Sequence, residues 1–179
     1  MPTRTTAIES YIRAKDENRP FLMTEAFDDE ATLSIIVKSG AISFPPEARG
    51  REAITAVLVR EFGRTYENVR TLCLSSPPPQ GTSEFSCPWL VGMSSKDDGV
   101  VRVGCGSYDW SFRSHGAPLV QKLIITIDAM QKLAPSKLAV VTDWLFSLPY
   151  PWCPLETAYA AAPLLDELGP LHRSARINA

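Results

Sequence analysis

The chain has 179 residues, 45% of them hydrophobic, with 18 basic and 20 acidic side chains and no cluster of Lys or Arg. That is enough for one hydrophobic core with an extension, and the near-balanced charge argues against a nucleic-acid partner, whose affinity would come from neutralising phosphates. No signal-peptide pattern and no apolar run of about 20 residues occurs, and Cys73, Cys87, Cys105 and Cys153 with His115 and His172 lack metal-site spacing; the expectation is a cytoplasmic protein with buried thiols, no metal, no cofactor and no membrane partner.

In chain order, Thr6-x-x-Glu9 forms a capping box, and Ala7, Ile8, Tyr11, Ile12 and Lys15 recur at helical spacing, which predicts a first helix over 5–16. Pro20 suits the first turn of a second helix, with Phe21, Leu22, Met23, Ala26 and Phe27 as its apolar side. Asp28-Asp29-Glu30 breaks that pattern, and residues 31–39 read as a strand. Gly40 and Pro45-Pro46 bracket a short return strand at 41–44. The clearest helix follows, with Ile54, Val57, Leu58, Glu61 and Phe62 on one stripe and Gly63 as its stop.

Four strand patterns come next, at 69–75, 84–95, 99–113 and 119–130, joined by a triple-proline loop, an Asp97-Asp98-Gly99 hairpin turn and a turn at 114–118. Early helices followed by such a meander predict an α+β domain. On the last strand Leu123, Ile125 and Ile127 take one face and Val120, Ile124 and Met130 the other. A sheet apolar on both faces needs helices on one side and a partner on the other, so a homodimer through the sheet face is expected. Beyond residue 134 the composition shifts: helices are predicted at 136–146 and 155–168, the second bent by Pro163, and 173–179 reads as frayed. The division is a domain over 1–134 and a helical extension over 135–179.

Tyr11, the stretch Ala26-Phe27-Asp28-Asp29-Glu30-Ala31-Thr32, Phe44-Pro45, Gly50-Arg51-Glu52-Ala53-Ile54 and the four closing strands together resemble the nuclear-transport-factor-2-like superfamily, in its SnoaL-like branch. The resemblance covers about residues 6 to 132. It implies a cystatin-like cone, a curved antiparallel sheet packed on three N-terminal helices around a largely apolar pocket. It also implies a small apolar or carbonyl-containing ligand. The fold alone does not choose between isomerase, cyclase, dehydratase and non-enzymatic roles.

By the same resemblance, Tyr11 and Asp109 match the hydrogen-bond donors with which ketosteroid isomerase holds an enolate oxygen. The alternative is a core tyrosine and a structural carboxyl group. The catalytic base of that relative falls at Ile35 by direct count, or at Phe44 if the hairpin is longer, and neither takes a proton. Asp128 matches the acidic base on the last strand of the SnoaL-like cyclases, although the polar residues beside it are replaced by Ile125 and Thr126. Asp16 is placed at the pocket edge, with a turn-capping role as its alternative. Phe27, Phe44, Phe62, Trp89 and Trp110 are the expected pocket lining. Alternation sets Tyr108, Trp110 and Phe112 opposite Asp109, so if those aromatics line the pocket Asp109 cannot act in it. Two functions follow: a ligand-binding protein that catalyses proton transfer without a cofactor (isomerisation, cyclisation or dehydration), or a non-catalytic binding or association module.

Overall fold

The structure is a computed structural model and describes residues 1–177. Helix α1 (Arg4–Asp16) starts one turn earlier than the expected cap: the Thr3 hydroxyl accepts from the Thr6 amide at 3.0 Å and the Thr6 hydroxyl from the Thr3 amide at 2.7 Å, a reciprocal box without Glu9. A 3₁₀ turn (Pro20–Leu22) and the single turn α2 (Met23–Ala26) follow. Strand β1 (Phe27–Val37) then begins four residues before the predicted point. Asp28 and Asp29 tolerate the extended backbone because both carboxylates are paired, Asp28 with Arg113 at 3.0 Å and the exposed Asp29 with Arg51. The return strand lies at Glu47–Arg49 (β2) instead of 41–44, which stays irregular.

The third helix is interrupted. Helix α3 (Arg51–Thr55) passes through a π-helical segment (Ala56–Glu61) into α4 (Phe62–Thr65). A π turn holds one residue more than an α turn and so rotates the buried stripe. Val59 joins Ile54, Leu58 and Phe62 in the core, while Val57 is half-buried and Glu61 is exposed. Gly63 does not end the helix; its missing Cβ makes room for the Asn18 side chain, which would lie 2.7 Å away.

Strands β3 (Tyr66–Cys73), β4 (Glu84–Ser95), β5 (Val101–Phe112) and β6 (Val120–Leu133) form the expected meander, in the sheet order β2-β1-β6-β5-β4-β3. Every neighbouring pair is antiparallel except β1 with β6, which run parallel. The inner face packs on α1 to α4 through Leu33, Trp89, Tyr108, Trp110 and Leu123.

Two register shifts on β6 overturn the expected split of its side chains. Phe112 pairs with Val120 after a shift beyond Ser111, and the pairs Cys105 with Ala129 and Gly106 with Ile127 leave Asp128 as an extra, bulged residue. Each shift reverses the alternation, so Val120 and Met130 join Leu123, Ile125 and Ile127 in the inner core. The apolar outer face lies elsewhere, on Leu72, Leu74, Leu90, Val101, Val103, Cys105 and Leu133.

That outer face is covered by the chain itself. A 3₁₀ turn (Pro135–Lys137), α5 (Leu138–Phe146), α6 (Leu155–Ala160), a second 3₁₀ turn (Asp166–Leu168) and α7 (Gly169–Ile177) pack Val141, Trp144, Leu145, Leu148, Ala158, Leu168 and Leu171 against it. Gly92 of β4 leaves the space taken by Leu145; a Cβ there would collide with the leucine methyl. The burial that argued for a homodimer is therefore supplied within one chain. Pro163 divides the predicted 155–168 helix, as its ring and missing N–H require. The end expected to fray is helical to Ile177, and residues 178 and 179 lie outside the described residues. Among the described residues no helix is long and apolar enough to cross a membrane, and all four cysteines are free and buried.

Candidate functional site

Between α1, the α3–α4 helix and the inner sheet face lies a cavity of about 50 Å³. Tyr11 and Lys15 enter it from one face of α1, one turn apart. Ile35 of β1, Leu58 and Phe62 of the interrupted helix, Trp89, Val91 and Met93 of β4, Tyr108 of β5, and Ile125, Ile127 and Met130 of β6 complete the walls. Ile42 and Phe44 close it from the irregular 38–46 loop. The Phe44 and Phe62 rings stack with centroids 6.5 Å apart and 12° between planes. On their other side is a groove of about 210 Å³ bordered by Ser43, Pro45, Val57, Glu61 and Tyr66. The stacked pair is thus a partition between the cavity and the surface.

The polar groups are few and connected. The Lys15 ammonium is buried, 4.9 Å above the Phe62 ring, and donates to Asp16 at 2.9 Å and to the Thr71 hydroxyl at 2.5 Å. Asp16 accepts four hydrogen bonds: from Lys15, from the Thr71 amide and hydroxyl at 2.7 Å each, and from the Tyr150 hydroxyl at 3.0 Å. With four donors on two oxygens the carboxylate has no lone pair directed at the cavity. Its work is to compensate and orient Lys15. Tyr150 comes from the C-terminal extension, where the Arg70 guanidinium lies 3.7 Å from its ring centroid and Trp152 donates to Glu9 at 2.8 Å.

Tyr11 packs edge-on against Phe27, Tyr108 and Trp110, at centroid distances of 5.7, 6.0 and 5.5 Å. Burial pushes its phenol well above the ordinary value near 10, partly offset by the neighbouring Tyr108 hydroxyl. Burial likewise raises Tyr108, helped by its charge interaction with Tyr11. Both phenols therefore carry their protons throughout the physiological range.

The sequence-predicted residues divide. Phe44, Phe62 and Trp89 line the cavity, with Tyr11 among them. Phe27 and Trp110 are buried one layer behind, in contact with Tyr11, and Asp16 stands behind Lys15. Asp109 is on the opposite face of β5 from Tyr108 and Trp110, bonded by Ser86 across the strand pair. It cannot share a substrate oxygen with Tyr11, because successive strand residues point to opposite faces. Asp128, turned outward by its bulge, pairs with Lys38 at 3.2 Å and borders a crevice under α6 and α7. The expectation that Tyr11, Asp109 and Asp128 converge is thus corrected by the strand faces. Sequence reading passed over Lys15, Thr71, Tyr108 and Tyr150 as site residues. Lys15 carried a signal: a lysine on the apolar stripe of α1, four residues after Tyr11. Among the described residues no group of three or more His, Cys, Asp and Glu is placed to hold a metal ion.

No family model matches the chain, and no curated protein matches its sequence. Solved structures do. A nuclear transport factor 2-like superfamily protein from Salmonella enterica serovar Typhimurium superposes with a TM-score of 0.53 at 17% identity, over 70% of this chain and 88% of that one. A hexachlorocyclohexane dehydrochlorinase (LinA, type 2) gives 0.58 at 12% identity, over 72% and 85%. A protein of ketosteroid isomerase-like fold from Catenulispora acidiphila, in complex with trimethylamine, gives 0.52 at 14% identity, over 69% and 85%. The chain has the nuclear-transport-factor-2-like fold. More than a quarter of it has no counterpart in these three relatives.

Proposed function

We propose that the protein binds a small, mostly apolar molecule inside the cone, with its polar end against Lys15 and Tyr11. The observation that carries this reading is the lining: apolar walls, an ammonium, two protonated phenols and an indole, and no carboxylate or imidazole among the described residues around the cavity. Pockets that hold ligands combine apolar walls with a few convergent polar groups in this way. Proton abstraction needs an acceptor within hydrogen-bond reach of the substrate. Asp109 and Asp128 face outward, the Asp16 oxygens are occupied, and the relatives' base positions hold Ile35 and Phe44. Binding without proton abstraction is the better supported reading.

An engineered apolar cavity of about 150 Å³ admits benzene, whereas this one offers about 50 Å³. A ligand of ring size therefore enters by displacing Phe44 from Phe62 and joining the cavity to the groove. The test is calorimetric titration with small aromatic ketones, following intrinsic tryptophan fluorescence in parallel. Saturable binding that Lys15→Met weakens about tenfold is expected, from the loss of one charge-assisted hydrogen bond. Absence of saturable binding by any apolar probe overturns the proposal.

A catalytic reading draws on the same donors, since Lys15 and Tyr11 could stabilise a developing enolate. The dehydrochlorinase among the structural relatives favours it. Enzyme-dependent exchange of α-protons of a bound ketone into deuterated water would establish it. No exchange above the buffer rate leaves binding alone.

A further inference from the structure

Beyond α5 the chain leaves the outer face and passes round the open edge of the sheet at β3. There the segment 151–153 lies along the strand: the Cys73 amide donates to the Pro151 carbonyl at 2.7 Å, and the Cys153 amide to the Cys73 carbonyl at 3.0 Å. Two side chains then reach across to α1. Trp152 donates to Glu9 at 2.8 Å and Tyr150 to Asp16 at 3.0 Å, two turns apart on one helix face. Among the described residues Tyr150 alone packs against both cores, the one under the helices α1 to α4 and the one under the extension.

Strand β3 grips this crossing from both sides. Arg70, paired with Gly92 beneath Leu145, is on the outer face, and its guanidinium lies 3.7 Å from the Tyr150 ring centroid. Thr71, the next residue, is on the inner face and bonds both Asp16 and Lys15. The Asp16 carboxylate joins the two sides. One of its oxygens takes the Lys15 ammonium and the Thr71 hydroxyl; the other takes the Thr71 amide and the Tyr150 hydroxyl. The Lys15 and Asp16 side chains are 7% and 3% exposed, so little water is at hand to replace a lost donor. A buried carboxylate oxygen short of a donor is costly. Without the Tyr150 hydroxyl, either the ammonium turns toward that oxygen or water enters beside it. Both draw Lys15 away from the cavity wall.

We infer that Tyr150 is a positioning residue of the cavity: acting through Asp16 it fixes the Lys15 ammonium in the wall, so that the seating of the C-terminal extension on β3 governs the affinity of the site. Its effect on affinity rests on the reading that the cavity binds a ligand, and its hold on Lys15 does not.

The experiment has two arms, both on the full chain. Without ligand, hydrogen exchange of the six lysine ammonium groups is followed by proton–nitrogen NMR, with Lys15→Met marking the Lys15 signal. Tyr150→Phe removes one hydroxyl and keeps the ring beside Arg70. It should speed Lys15 exchange at least about tenfold, the worth of a hydrogen bond to a charged group. Trp152→Phe releases Glu9 instead, two turns away, and should change that exchange by less than about twofold. Exchange that Tyr150→Phe leaves unchanged, or that both variants speed alike, overturns the inference and reduces the segment to packing. A Lys15 signal lost to fast exchange in the wild type overturns it as well. In the second arm, calorimetry with acetophenone should find binding weakened about threefold to tenfold by Tyr150→Phe alone, and by less than about twofold when Lys15 is already Met. Equal losses in the two backgrounds overturn the route through Lys15. If acetophenone does not bind, the proposed function falls and the effect on affinity with it, while the first arm still decides the hold on Lys15.

Discussion

Replacing Lys15 by Met is the sharpest test of how the cavity is built. The change keeps the length and apolar stem of the side chain and removes the ammonium that reaches Asp16 and Thr71. Asp16 would then be a buried carboxylate without its cation. Removing one partner of a buried pair costs about 3–5 kcal/mol. Here Asp16 keeps three hydrogen bonds, from the Thr71 amide, the Thr71 hydroxyl and Tyr150. Those hold the loss near the lower end, about 3 kcal/mol, or roughly 6–12 °C in Tm for a chain of this length. The double variant Lys15→Met/Asp16→Asn removes the orphaned charge and should recover about 1–2 kcal/mol of that loss. Urea denaturation of the wild type, both single variants and the double variant measures the coupling. A Lys15→Met variant within about 0.5 kcal/mol of wild type would refute the reasoning, because a side chain with that effect is on the surface.

Other outcomes follow from the same geometry. Leu145→Ala, at the contact that Gly92 makes room for, should cost about 2–5 kcal/mol in urea denaturation; a change below about 1 kcal/mol would mean that α5 is not seated on β4. A chain ending at residue 134 exposes Leu72, Leu90, Val103 and their neighbours, and light scattering should find it more strongly self-associated than the full chain. Phe44→Ala breaks the stacked partition and should speed ligand association in stopped-flow fluorescence, with little loss of stability because Phe44 is half-buried; an unchanged rate would place the entrance elsewhere. Finally, Tyr11, Tyr108, Tyr150 and Tyr159 are all raised above the ordinary value near 10, and burial pushes the Cys105 thiol up to about 11. Groups raised in the folded state stabilise it fully below their unfolded values, and that contribution is lost as pH climbs toward their folded ones. Stability should therefore fall above about pH 9–10. Absorbance at 295 nm should show these four of the five tyrosines ionising together with loss of the near-ultraviolet circular dichroism. Independent titration of all five in the native protein would contradict their burial.

The chemistry of short segments was legible wherever a local rule decided the outcome. The Asp97-Asp98-Gly99 turn joins β4 to β5 as expected, with Gly99 at φ 71°, because only a residue free to adopt that conformation closes so tight a hairpin. Tyr108, Trp110 and Phe112 share one face because a strand alternates. Tyr11 came from its match to the relatives' helix-one tyrosine, and Phe44, Phe62 and Trp89 from the apolar lining that the resemblance implies. Asp109 and Asp128 could not be placed in the same way. Alternation says that Asp109 opposes Tyr108, but it does not say which face meets the helices. The bulge at Asp128 depends on how β6 pairs with β5, a contact between chains of residues and not a pattern within one. Tyr150 and Asp16 are 134 residues apart, and nothing local marks either as the other's partner.

By itself the sequence determined the order of helices and strands, the turns and the apolar stripes, since these depend on backbone preferences and spacing within a few residues. Tertiary structure alone decided which sheet face encloses the cavity, that the other face is covered by α5 to α7 of the same chain, and that Lys15 is buried beside Asp16 while Asp109 and Asp128 face away. Those outcomes turn on which surfaces exclude water together, and burial is shared between segments distant in the chain.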